Sequence, residues 1–102
     1  MIISRWQGTQ ELSVDKIKKY YHIREDQDFK VEKFDSGTVI KDHYHHLLEI
    51  RIITEGQLLC NISGNQLLLR PGDRIEIPAN TKHAYSNNYP DACTCLVGYY
   101  TF

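Results

Sequence analysis

The chain has 102 residues, enough for one hydrophobic core and too few for two ordinary domains, because a chain this size buries only about two-thirds of its unfolded surface. Twelve Lys and Arg against thirteen Asp and Glu leave a net charge of −1, so no large field of either sign points to nucleic acid or to an anionic membrane. Hydrophobic residues at 41% and charged residues at 25% match the globular average and exclude a disordered chain.

The opening Met1-Ile2-Ile3-Ser4-Arg5-Trp6 has neither the basic region nor the apolar stretch of a signal peptide. No window reaches the apolar length of a membrane span, so a cytoplasmic protein is expected. The most helix-like stretch runs from Leu12 to Tyr21, with Leu12, Ile17 and Tyr20 or Tyr21 on one side and Thr9 or Ser13 as cap candidates. Asp15 near its start and Lys18 and Lys19 near its end complement the helix dipole. Residues 1–28 therefore read as an N-terminal extension whose short helix packs on a β-barrel formed by residues 29–102. The charged stretch from Lys16 to Lys33 mixes signs and reads as solvated surface.

From Phe29 onward the chain consists of short runs of β-branched, aromatic and aliphatic residues separated by turn residues. Strands are expected at Phe29 to Phe34, Thr38 to His45, Leu48 to Thr54, Gln57 to Ile62, Gln66 to Arg70, Arg74 to Ile77, Thr81 to Ser86 and Ala92 to Thr101. Most of the intervening segments, such as Glu55-Gly56, Ser63-Gly64-Asn65 and Pro71-Gly72-Asp73, contain Gly, Pro or Asn. Strands this short must each bury one face and hide their edges, which makes an all-β jelly-roll barrel the natural solution. Cys60, Cys93 and Cys95 are an odd number, so a complete intrachain disulfide framework is impossible. They read as inert core thiols, and Cys93-x-Cys95 on a strand points both side chains one way. No phosphate-binding Gly-rich loop and no G-x-S-x-G nucleophile is present.

His43, His45, His46 and His83, with Glu49 beside the first three, are the strongest chemical signal. His43 and His45 stand two apart on an expected strand, so both rings project from one face about 7 Å apart. His46 has the opposite parity and is expected to face outward. Glu49 follows a short Leu47-Leu48 connection that lets its carboxylate fold back, and His83 must arrive by barrel closure. Buried carboxylates and imidazoles are costly unless paired or bound to a cation. A set of three imidazoles and one carboxylate suits one divalent transition metal, Fe, Mn, Zn, Ni or Co, with positions left open for water or substrate. From residue types alone, hydrogen-bonded core or surface histidines remain the alternative.

Gly37-x5-His43-x-His45-x3-Glu49-x6-Gly56 resembles the first motif of the cupin superfamily, and Gly72-x5-Pro78-x-Asn80-x2-His83-x3-Asn87 resembles the second, with fifteen residues between Gly56 and Gly72. The departure is Asn80, where that family usually has glycine; Asn is the residue other than glycine that best tolerates positive φ. The resemblance implies a double-stranded β-helix of the small single-domain bacterial type, often dimeric, and gives metal-ligand roles to His43, His45, Glu49 and His83.

Alternation places Arg51 and Ile53 on the face of Glu49, and Tyr85 on that of His83. Arg51 reads either as a clamp for a substrate carboxylate or as an ion-pair partner of Glu76 or Glu55. Tyr85 reads as a hydrogen-bond donor or acid–base group toward substrate, or as packing with its hydroxyl satisfied. Leu58, Cys60, Ile62, Leu67, Leu69, Ile75, Ile77, Cys93, Cys95 and Val97 should line the interior, leaving room only for a small-molecule ligand. The expected function is a metal-dependent enzyme acting on a small oxygenated metabolite, either a dioxygenase or an isomerase, lyase or decarboxylase. A non-catalytic module sensing a ligand or metal and a purely structural barrel are the alternatives. The apolar Ile2-Ile3 start and the Tyr99-Tyr100-Thr101-Phe102 end suggest a homodimer.

Overall fold

A computed structural model describes residues 2–5, 13–23 and 29–101. These form β1 (Ile2–Ser4), α1 (Val14–Tyr20), β2 (Lys30–Phe34), β3 (Val39–His43), β4 (Leu48–Glu55), β5 (Leu58–Ile62), β6 (Asn65–Leu69), β7 (Arg74–Ile77), β8 (His83–Ser86) and β9 (Cys93–Tyr100). All eight expected strands are present, each bounded by its turn residues. Gly56 illustrates why the punctuation matters: its φ is +76°, and a Cβ there would meet the Ala92 carbonyl oxygen and lie 2.9 Å from the Cys93 Cα.

The strands make two antiparallel sheets, ordered β1-β7-β4-β9-β2 and β3-β8-β5-β6. Their inner faces meet in one core, to which the first sheet supplies Phe34, Ile53, Ile75, Ile77, Cys93 and Cys95 and the second Leu58, Cys60, Ile62, Leu69 and Tyr85. The cysteines are buried and unbridged, and the Sγ atoms of Cys93 and Cys95 lie 3.8 Å apart on one face, as the i, i+2 spacing requires. The all-β jelly-roll architecture expected from the sequence is the one observed.

β4 breaks simple alternation because both of its faces are covered. Ile53 points into the core, while Ile52 and Leu96 point outward, where α1 covers them with Ile17. Ile17 is fully buried, worth about 1.5–3 kcal/mol by the usual area relation. Ser13 caps α1 by accepting a 3.2 Å hydrogen bond from the Lys16 backbone N–H. The other cap candidate, Thr9, and the expected first helical residue, Leu12, lie outside the described residues.

Two expectations change. Residues Ile2–Ser4, assigned to an extension outside the barrel, form a strand of it, with Ile3 opposite Ile75 of β7. Arg5 secures that strand by donating to the buried Asp73 carboxylate at 2.6 Å and to the Leu68 carbonyl at 3.1 Å. The other change concerns His45. β3 ends at His43, and its register slips between Ile40 and His43, so a bulge turns His43 inward and leaves His45 in the connection to β4. That connection is tied across the barrel by the 2.8 Å hydrogen bond from the Asn80 N–H to the His45 carbonyl.

Candidate metal centre

His43 at the end of β3, His45 in the following connection and His83 at the start of β8 come together, their closest ring nitrogens all within 4.8 Å of one another. The ring centroids of His43 and His83 are 4.3 Å apart, those of His45 and His83 5.0 Å, and those of His43 and His45 5.8 Å. The first two rings are half-buried and His83 is wholly buried.

Each ring is oriented by a backbone carbonyl. Nδ1 of His43 bonds to the Lys41 carbonyl at 2.9 Å, Nδ1 of His45 to that of Leu47 at 3.1 Å, and Nδ1 of His83 to that of Thr81 at 2.8 Å. A carbonyl can only accept, so the proton of each ring sits on Nδ1 and Nε2 is left to face the cluster. His83 Nε2 is the buried side-chain atom without a hydrogen-bond partner among the described residues. Such an atom carries a desolvation cost unless something binds it, and a cation at the cluster would do so. The residues present fit a divalent transition metal.

Glu49, fully buried on β4, lies beside the three histidines. Its Oε1 stands 3.1 Å from Nε2 of His45 and 3.5 Å from Nε2 of His83. Its Oε2 is occupied by two donors, Arg51 Nε at 3.1 Å and the Tyr85 hydroxyl. One oxygen is therefore held by protein and the other is turned toward the histidines, the arrangement in which outer partners orient a ligand. Burial alone would push the Glu49 pKa up, but His83, Arg51 and Tyr85 hold it well below the ordinary carboxylate range. Burial would lower the His83 pKa, and the Glu49 carboxylate and Thr81 carbonyl outweigh it and raise it. Tyr85 moves well above the phenol value, chiefly through burial, so its hydroxyl stays a proton donor.

Arg51 is only 2% exposed. Besides Glu49 it pairs with Glu32 of β2, Nη1 to Oε1 at 2.7 Å, and its guanidinium lies 4.6 Å from the Tyr85 ring centroid and 5.2 Å from that of Phe34. The expected partners Glu76 and Glu55 are not used: Glu76 pairs with Arg74 at 3.0 Å, and Glu55 is exposed at the far end of β4. Glu32 was not legible as a site residue, since one acid on a half-exposed edge strand looks like surface. The inward phase of Glu32-x-Phe34 was its only signal. Tyr99 was also missed, and its ring meets His45 edge-on at 5.1 Å.

His46 stands apart. It is exposed and bonds through Nδ1 to Asn80 Oδ1 at 2.6 Å. Asn80 adopts φ +61°, the conformation expected of a residue in a glycine position. Asn87 is scaffolding: fully buried, it donates to the carbonyls of Phe34 and Asp91 at 3.0 and 2.9 Å.

A cavity of about 120 Å³ opens beside the histidines, walled by Glu32, Phe34, Ile40, His43, Arg51, Tyr85 and Tyr99. A larger hollow of about 350 Å³ runs along Val39, Leu59, Asn61 and Ser86 on the second sheet, but no histidine lines it. Size alone does not locate the chemistry.

Residues 30–99 match the family model described as a cupin domain. Over 50 residues, 48% of this chain, the sequence is 42% identical to quercetin 2,3-dioxygenase of Bacillus subtilis (strain 168), a stretch that spans only 15% of that enzyme. A DMSP lyase from Ruegeria pomeroyi superposes with a TM-score of 0.65 at 26% identity, covering 70% of this chain and 36% of that one. The cupin domain of an XRE family transcriptional regulator from Enterobacter cloacae superposes with a TM-score of 0.63 at 16% identity, covering 74% of this chain and 99% of that one, a likeness of fold alone. Among the described residues no helix is long and apolar enough to cross a membrane.

Proposed function

We propose, for a chain that belongs to the cupin domain family, that His43, His45, Glu49 and His83 hold one divalent transition metal ion and that the protein is a metal-dependent enzyme acting on a small oxygenated molecule. The observation that carries this reading is the convergence of three Nε2 atoms, each ring oriented by a carbonyl on Nδ1, with that of His83 buried and without a hydrogen bond. When bound, such an ion supplies Lewis acidity and open positions for a substrate oxygen.

The chain's own residues do the rest. Arg51 and Tyr85 act as positioning residues: both hold Oε2 of Glu49, which would leave Oε1 turned toward the histidines for an ion. The carboxylate-clamp and acid–base roles considered from the sequence would draw on groups already bonded to Glu49 and Glu32. The cavity of about 120 Å³ beside His43 is on the scale of a small ligand. Tyr99, exposed and set against His45, stands where it can close over such a molecule.

Two reaction classes follow from the same site, oxygen-consuming cleavage and redox-neutral elimination or isomerisation, and relatives carrying the names dioxygenase and lyase support keeping both. Metal analysis of protein purified without added metal, followed by oxygen-uptake and product assays over small diketones, hydroxy acids and sugars, separates them. Co-purifying iron with oxygen uptake selects the first class, and turnover without uptake selects the second. A loaded site that turns over nothing in the panel would leave a binding module and overturn the enzyme reading. We also propose a homodimer, supported by exposed Ile2 and Val31 on the two edge strands of the first sheet. A monomer mass by light scattering would refute it.

A further inference from the structure

We infer that Glu32 sets the charge preference of the cavity beside the histidines: by closing an ion pair on Arg51 it denies that guanidinium to carboxylates, so the ligand admitted is neutral, presenting hydroxyl or carbonyl oxygens. This deepens the proposed function and rests on it.

The placement of Glu32 is the first ground. On β2 the alternation sends Val31 outward, 71% exposed, and Glu32 and Phe34 inward. An acid turned toward the barrel interior loses part of its hydration, a loss that a partner offsets. That partner is Arg51, at 2.7 Å.

The second ground is how Arg51 is spent. Its Nε serves Glu49, and aromatic rings flank the guanidinium, so Nη1 is the donor it extends to Glu32 at the cavity wall. Without Glu32 the wall would hold a desolvated guanidinium beside three histidines, an arrangement suited to gripping a carboxylate with two parallel hydrogen bonds. With it, two carboxylates, Glu32 and Glu49, oppose one guanidinium. An anion reaching for the Arg51 guanidinium, rather than for the ion itself, would have to displace the Glu32 carboxylate already in place.

The third ground is exposure. Both side chains line the cavity, but that of Glu32 is 40% exposed where that of Arg51 is 2% exposed, so Glu32 is the more accessible of the two. Its carboxylate can accept a hydrogen bond from a ligand hydroxyl, which a carboxylate ligand cannot donate.

Acetate and acetamide, nearly identical in shape and different in charge, test this on the full chain loaded with Co(II), whose visible absorption reports a ligand at the ion. Glu32→Gln and Glu32→Ser are both expected to raise acetate affinity about tenfold or more and to move acetamide by less than about twofold. Glu32→Asp, which keeps the charge, should stay within about threefold of the unsubstituted protein for both. Two variants are used because either alone could fail to fold. Acetate affinity unchanged or lowered in the folded neutral variants, or Glu32→Asp behaving like Glu32→Gln, would overturn the inference. If the Co(II) spectrum never develops in the unsubstituted protein, the metal reading itself fails; a normal spectrum with equal acetate affinities removes only the role of Glu32.

Discussion

Two parts of one interior are built on opposite terms. In the apolar part, Ile53, Leu58, Leu69, Ile75 and Ile77 are essentially fully buried and need nothing from each other but contact. In the polar part, Glu49, Arg51 and His83 are as deeply buried, and each depends on specific partners. β4 passes from one to the other within five residues, Glu49 to Ile53. The apolar part explains why the chain folds, whereas the polar part carries a residual cost, concentrated in His83 Nε2, that folding alone does not justify. Substitutions should therefore separate: those in the polar part change what is bound, and those in the apolar part change stability.

The largest effect belongs to the polar part. His83→Ala and His45→Ala should each lower metal affinity on the order of a hundredfold or more, beyond the 10- to 100-fold typical of changing an outer partner, as read by metal content after dialysis. Full occupancy in both variants would remove the ligand assignment and merge the two parts into one structural core.

Next comes the opposite case, on the outer face of β4. Ile17→Ala removes the one buried side chain of α1 from Ile52 and Leu96 and should cost about 2–4 kcal/mol in denaturant unfolding, with metal stoichiometry unchanged. Loss of metal at unchanged stability would mean the helix supports the site and not the fold.

A smaller effect comes from pH. In the metal-free protein the His83 pKa is raised, so its protonated ring adds stability that is complete below the ordinary value of 6.5 and lost as pH rises through the raised value. Metal needs the neutral ring and reverses that dependence. The rise in melting temperature on adding metal should therefore grow between about pH 5.5 and about pH 8. Glu49, held low, stays charged across this range, and its contribution fades only as pH falls through its depressed value. A rise independent of pH would indicate a site without imidazole ligands.

How much of this was legible follows the same division. The eight barrel strands could be read because Gly, Pro or Asn marks every connection between them except that from β3 to β4, and each strand need satisfy only a period of two. β1 could not, since three residues have no period and gain their strand only by pairing with β7. The motif spacing singled out His43, His45, Glu49 and His83, whose side chains lie near one another, yet alternation mistook how His43 arrives: the bulge after Ile40, and not an unbroken strand, turns it inward. The partners of Arg51 were missed because ion pairing across a closed barrel depends on which strands become neighbours, and β2 reaches β4 only by way of β9.

The smallest expected effect tests the boundary of the polar part. His46 adjoins His45 in sequence and shares its chemistry, so only geometry sets it apart: its ring is exposed, it bonds to Asn80 Oδ1, and Tyr44 meets it edge-on at 6.0 Å. His46→Ala should leave metal content unchanged and shift stability by less than about 0.5 kcal/mol, the range of surface substitutions. The turn at Asn80 should persist, because the hydrogen bond holding it to the ligand connection runs from the Asn80 backbone to the His45 carbonyl and does not pass through the His46 ring. A tenfold fall in metal affinity would show that the Asn80 side chain, positioned by His46, is what holds His45 in place, and the site would then extend to the surface.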